Sequence, residues 1–200
     1  FSSLVILMKM REGELLLMTE TKLKGVLIYE PVVFQDNRGW FYESYTKSKF
    51  NEFGLDIEFI QDNHSLSKHV NTIRGIHFQN NPYAQSKLVR CIAGRILDIA
   101  VDLRRGSPTY CQWISVELSA ENKKQLFIPK GFGHAFITLE ENSQVCYKVD
   151  APWSREHERT ISYLDPDINI KWPEGEKILS EKDANAPFLK DCDINFNYGE

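Results

Sequence analysis

Several features are missing from this 200-residue chain, and each absence removes a class of function. Lysine and arginine are interspersed with acidic residues, and no basic run stands out, so nucleic acid is not an expected partner. No apolar run approaches the ~20 residues that span a bilayer, so no membrane association is expected. The first apolar run, Leu4-Val5-Ile6-Leu7, is followed rather than preceded by Lys9 and Arg11, the reverse of a signal peptide. The four cysteines (Cys91, Cys111, Cys146, Cys192) show no Cys-x-x-Cys spacing. They read as buried free thiols of a cytoplasmic protein rather than as a disulfide framework. Internal repeats and low-complexity linkers are absent, and helical stretches are few.

What is present is β-structure. Apolar residues make up 42% of the chain and aromatics 12%, which suits one domain with deep pockets better than a helical bundle. From Val26 onward, short runs rich in Val, Ile, Phe and Tyr alternate with turn residues. Strand-like runs fall at 26–34, 39–45, 57–61, 87–92, 95–103 and 113–118. Breaks fall at 36–39, 93–94, 105–108 and 129–131. Strands spaced this closely predict a sandwich or barrel. A short helix is expected over 47–53 and a turn at 119–122. After Asp165-Pro166 the apolar pattern thins, so the last ~30 residues are expected to wrap the barrel as an irregular tail. Residues 1–17 read as an extension of uncertain origin, because Met18 opens a stretch that looks like a natural beginning. Residues 18–200 read as a single domain.

The candidate chemistry centres on His77. A histidine alone on a strand is more often structural, but Lys87 and Tyr147 also sit inside strand-like runs that seldom bury such groups without a reason. Asp183 lies in the tail. A base, a cation, a phenol and a carboxylate meeting in one barrel mouth would suit proton abstraction next to a carbonyl. A metal-binding cupin is the natural rival, since Pro129-Lys130-Gly131-Phe132-Gly133-His134 resembles the second half of its signature. The first half needs two histidines at spacing two and then a glutamate. Here that slot holds His77-Phe78-Gln79, so the ligand set is incomplete and no metal is expected.

The chain from Met18 to about Leu189 resembles the dTDP-4-dehydrorhamnose 3,5-epimerase family, whose fold is a cupin-type jelly-roll β-barrel with short peripheral helices. The matching segments include Asp36-Asn37-Arg38-Gly39, Gln61-Asp62-Asn63-His64-Ser65 and Arg74-Gly75-Ile76-His77-Phe78-Gln79. They continue through Lys87-Leu88-Val89-Arg90, Asp98-Ile99-Ala100-Val101-Asp102-Leu103-Arg104, Ile128 to His134 and Leu179 to Asp183. Two departures are small: Gly133-His134-Ala135 stands where Ala-His-Gly is usual, and Cys111 stands where Gly is usual.

The resemblance implies inversion at C3 and C5 of dTDP-4-dehydro-6-deoxy-D-glucose, with no cofactor, and a single-carbon (C3 or C5) epimerase or a keto-sugar isomerase on the same scaffold as the alternative. By the same resemblance His77 is the base, Asp183 holds its tautomer, Lys87 stabilises the enolate oxygen and Tyr147 returns a proton from the opposite face. It also implies substrate binding by Arg38, Glu43, Gln61, Asn63, Arg74, His134, Glu158 and Lys182. Arg38 and Glu158 on their own would read as solvated surface charges, and Asp102 and Arg104 as structural polar residues. A homodimer with an exchanged N-terminal segment is implied too.

One geometric difficulty follows. Side chains three residues apart on a regular strand face opposite ways, yet the resemblance puts Arg74 and His77 in one pocket. Gly75 would permit a bulge that turns Arg74 inward.

Overall fold

The computed structural model describes residues 5–9 and 15–199. The described strands begin with β1 (Val5–Lys9), β2 (Leu15–Glu20), β3 (Leu27–Glu30), β4 (Phe34–Asp36) and β5 (Gly39–Phe41). After helix α1 (Lys47–Glu52) come β6 (Gln61–Ser67), β7 (Ile73–Gln79), β8 (Lys87–Ala93), β9 (Arg95–Asp102) and β10 (Trp113–Ser119). The last are β11 (Gln125–Ile128), β12 (Phe132–Thr138), β13 (Ser143–Val149) and β14 (Glu158–Thr160), followed by the four-residue helix α2 (Glu181–Ala184). One antiparallel sheet runs β1-β2-β3-β11-β8-β13-β6 and a second β10-β9-β12-β7-β14, with β4 and β5 as a separate hairpin. The fold is the mainly-β jelly roll of the cupin type.

Alternation along the strands builds three apolar layers. Val89, Cys91, Ile96, Ala100, Phe132, Phe136 and Val145 point between the sheets and form the inner core. Their neighbours in sequence point outward. On the long sheet Leu88 and Phe127 pack with Tyr29 and with Phe50 of α1. A six-residue helix is too short to stand alone. Phe50 anchors it, its ring edge-on to Tyr29 at 5.1 Å and to Tyr45 at 5.0 Å. On the five-stranded sheet Ile76, Phe78, Ile99 and Val101 are covered by Ile168, Ile170, Leu189 and Phe196 of the tail.

Some expected strands move. The 26–34 run stops at Glu30, before Pro31, which has no N–H to give to a ladder. The 39–45 run keeps only Gly39–Phe41. The 57–61 run is not a strand before Gln61; the strand proper is the polar Gln61–Ser67 that follows. Of the expected 1–17 extension, β1 and the start of β2 pair antiparallel at the edge of the long sheet; residues 1–4 and 10–14 lie outside the described residues. Among the four free cysteines only Cys91 is buried; the others are half-buried.

Candidate active site

Antiparallel pairing brings the starts of β6, β8 and β14 and the ends of β7 and β13 to one edge of the sandwich. There the inward positions change from apolar to polar. Gln61, Asn63, His77, Lys87, Tyr147 and Glu158 line one cavity of about 190 Å³. Gln79, Gln85 and Trp153 line it too, and the sequence reading had not singled them out. Trp153 carried a signal, a tryptophan within a run of polar and charged residues; the two glutamines carried none.

Asp183 reaches this edge from the tail. Ser180 caps α2, its Oγ accepting the Asp183 N–H at 3.1 Å, and the carboxylate faces β7. His77 Nε2 lies 2.6 Å from Asp183 Oδ1. Burial opposes ionisation of Asp183, but His77, the Ser180 hydroxyl and the Gly75 N–H together hold its carboxyl below the usual range. The Asp183 side chain is 4% exposed, whereas His77 is 32% exposed and open to the cavity.

A second carboxylate–imidazole pair lies deeper. His134 Nε2 is 2.7 Å from Asp98 Oδ1, and both side chains are buried. Asp98 Oδ2 has no hydrogen-bond partner among the described residues. Asp98 was not among the candidates from sequence; the signal that could have found it is a charge on the inward face of β9, between Ile96 and Ala100. Burial pushes His134 down, against the opposing pull of Asp98. Lys87 is wholly enclosed, and burial lowers it to about 8, with Asp98 and Glu158 acting the other way. Its Nζ stands 5.6 Å from the centre of the Tyr147 ring. Burial raises the Tyr147 phenol, while the Arg74 charge and a hydrogen bond with Asn63 favour the phenolate.

The β7 ladder breaks at the expected place. His77 pairs with His134 and Arg74 with Phe136, so two residues of β7 oppose Ala135 alone. Directly paired residues share a face, and His134 and Phe136 both face inward, so the extra residue turns Arg74 and His77 to the same side. Gly75 has φ +121°, and a Cβ there would lie 2.5 Å from the His134 carbonyl oxygen. No other residue fits without displacing β12. Arg74 itself stays exposed; its guanidinium donates to Ser67 Oγ and to the Leu66 carbonyl of β6, each at 3.1 Å.

The remaining candidates divide. Lys182 pairs with Glu158 at 2.8 Å, at the mouth of the cavity. Gln61 donates to Asn63 at 2.8 Å within it. Arg38 and Glu43 are elsewhere. Arg38 tops the β4–β5 hairpin, where Asp36 holds its Nε at 3.1 Å. Glu43 pairs with Lys49 of α1 at 2.5 Å. Neither lines this chain's own cavity. Asp102 accepts from Arg104, Ser107 and Thr109, which is a structural arrangement.

A jelly roll with a braced imidazole, an enclosed lysine and a phenol facing one cavity is the architecture of an acid–base enzyme acting beside a carbonyl. Comparison with known proteins fixes the family. The model for dTDP-4-dehydrorhamnose 3,5-epimerase matches residues 20–191. A dTDP-4-dehydrorhamnose 3,5-epimerase of Salmonella typhimurium is 49% identical over 177 residues, 88% of this chain and 96% of that one. The crystal structure of such an epimerase from Elizabethkingia anophelis superposes with a TM-score of 0.84 at 46% identity, covering 88% of this chain and 97% of that one. A Legionella pneumophila relative, solved in complex with dTDP-4-keto-L-rhamnose, gives 0.84 at 43% identity, with 88% and 94% covered. The chain belongs to the dTDP-4-dehydrorhamnose 3,5-epimerase family and is an isomerase.

Proposed function

We propose that this chain inverts C3 and C5 of dTDP-4-dehydro-6-deoxy-D-glucose, giving dTDP-4-dehydro-L-rhamnose. The observation that carries the reading is the His77–Asp183 pair opening onto the cavity that Lys87 and Tyr147 share. Protons at C3 and C5 both flank the C4 ketone, so removing either gives an enolate rather than a bare carbanion. No redox cofactor is called for.

Each group then has one task. With Nε2–H donating to Asp183, Nδ1 of His77 is the nitrogen left to accept the proton, and the carboxylate stabilises the imidazolium. The Lys87 ammonium meets the charge that develops on the C4 oxygen, and its burial weakens the screening of that contact by solvent. Tyr147, kept protonated by burial, returns a proton from the face opposite His77. Gln61, Asn63, Arg74, His134, Glu158 and Lys182 bind or orient the rest of the substrate.

Arg38 and Glu43 belong to this reading through a homodimer in which the β4–β5 segment is exchanged. Support comes from their distance from the chain's own cavity, and from the hairpin's exposed Trp40 and Phe41, 57% and 66% accessible. One jelly-roll domain over 18–200, acting in the cytoplasm, completes the proposal. No helix among the described residues is long and apolar enough to cross a membrane.

The test is incubation with dTDP-4-dehydro-6-deoxy-D-glucose in deuterated water. Deuterium at both C3 and C5 is the expected result. Label at C3 alone makes the chain a single-carbon epimerase, and label at neither removes the function.

A further inference from the structure

Gln79 ends β7 and is buried, 4% exposed. Its Nε2 donates to the Tyr83 carbonyl at 2.7 Å and the Pro152 carbonyl at 3.0 Å, and its Oε1 accepts the Ser154 N–H at 2.7 Å. Both amide protons and one oxygen lone pair are thus committed to backbone. The residues that follow add to the same attachment. Asn80 N–H donates to the His157 carbonyl at 2.9 Å, and Gln85 Nε2 to the Ala151 carbonyl at 2.8 Å. Ser86 N–H donates to Asp150 Oδ1 at 2.7 Å. His157 lies against the Tyr83 ring, centroids 4.7 Å apart, and its Nδ1 is 2.8 Å from Ser154 Oγ.

The connector from β13 to β14, residues 150–157, is therefore tied along its length to the connector from β7 to β8. Surface connectors are ordinarily the mobile part of a fold; this one is a ledge. It carries Trp153, 57% exposed at the cavity, and leads straight into Glu158, which pairs in register with Gln79.

We propose that Gln79 is a positioning residue: it sets affinity for the part of the substrate that reaches the cavity mouth, by fixing the ledge that presents Trp153 and Glu158. The affinity half rests on the epimerase reading; the ledge half does not. Gln79→Met keeps the length of the side chain and removes its hydrogen bonds.

The ledge is tested without substrate, by amide exchange at His157 and Glu158, whose N–H groups donate to the Ser154 carbonyl and not to the Gln79 side chain. Faster exchange in Gln79→Met than in the unsubstituted chain supports it, and equal exchange overturns it. The affinity claim is tested by kinetics with dTDP-4-dehydro-6-deoxy-D-glucose. KM is expected to rise about tenfold while kcat stays within about twofold, the pattern of lost binding rather than lost chemistry. In a Trp153→Ala, Glu158→Gln background the same substitution should no longer raise KM. A fall in kcat at unchanged KM, or an undiminished KM effect in that background, overturns the proposal. Should Gln79→Met fail to fold, Gln79→Glu, which keeps an acceptor for the Ser154 N–H and removes both donors to the Tyr83 and Pro152 carbonyls, enters the same measurements with the same criteria. If the unsubstituted chain does not turn the substrate over, the epimerase reading falls and the exchange experiment still decides the ledge.

Discussion

The five-stranded sheet carries two carboxylate–imidazole pairs of nearly equal length, His77–Asp183 at 2.6 Å and His134–Asp98 at 2.7 Å. In the first, the carboxylate is hidden and fully engaged while the imidazole is a third exposed. In the second both partners are buried, and one carboxylate oxygen has no hydrogen-bond partner among the described residues. Equal bonds thus serve unequal ends. A base must meet a substrate proton, and the access that this requires is what the proposed role of His77 rests on. Enclosure leaves the Asp98 charge unscreened beside Lys87 and His134 and makes that pair an electrostatic fixture.

The largest expected effect separates the pairs outright. His77→Ala should lower kcat by about 10³-fold or more, and Asp183→Asn by about 10²-fold, whereas His134→Ala should cost roughly tenfold. Steady-state assays that find His134→Ala as damaging as His77→Ala would end the distinction by access. Next comes Tyr147→Phe. Net epimerisation should fall by about 10²-fold while deuterium exchange, which needs only the base, stays within a few-fold of normal. If exchange disappears as fully as in His77→Ala, Tyr147 is not the opposite-face donor.

A smaller effect is a displaced pH limb. Lys87 titrates at about 8, so kcat/KM should decline as pH rises through about 8, where the ammonium is lost. Asp98→Asn removes a charge that raises Lys87 and should move the limb to lower pH; Asp183→Asn should leave it in place. Coincident limbs in all three proteins would remove Asp98 from the electrostatics of the site. Stability runs the other way. The folded-state value of Lys87 lies below its ordinary 10.5, so enclosure of the ammonium costs stability below about pH 8, and that cost fades toward 10.5. The smallest expected effect is none at all: chelation with EDTA should leave activity unchanged. Loss restored by a divalent cation would mean that the histidines ligate metal.

The apolar half of this architecture could be read directly, because Arg95–Asp102 and Trp113–Ser119 alternate or run apolar as strands should. The site half could not. Gln61, Asn63, Ser65 and Ser67 alternate on one face of β6, yet all are polar: Gln61 and Asn63 line the cavity and Ser67 accepts from Arg74, so the strand resembles a loop. The apolar run before it looked more like a strand and is not one. Asp98 was missed although it stands as a charge among apolar residues, and its pairing with His134 depends on the register between β9 and β12, which no local pattern encodes. The bulge at Gly75 was legible from a parity conflict. Cys111 adopts φ +65°, a left-handed conformation suited to the glycine usual there; that departure from the family pattern was the one hint of it in the sequence, and nothing in the residues around it adds another.

Asp183 has one more implication, for what completes the site. It stands 106 residues from His77 along the chain and arrives on a tail held by, among other contacts, the Thr72–Ile178 bridge and the layer around Leu189 and Phe196. The sheets pair through segments that all precede that tail. The carboxylate that braces the imidazole therefore comes from outside both sheets, and loosening the tail would remove it while leaving the strands paired.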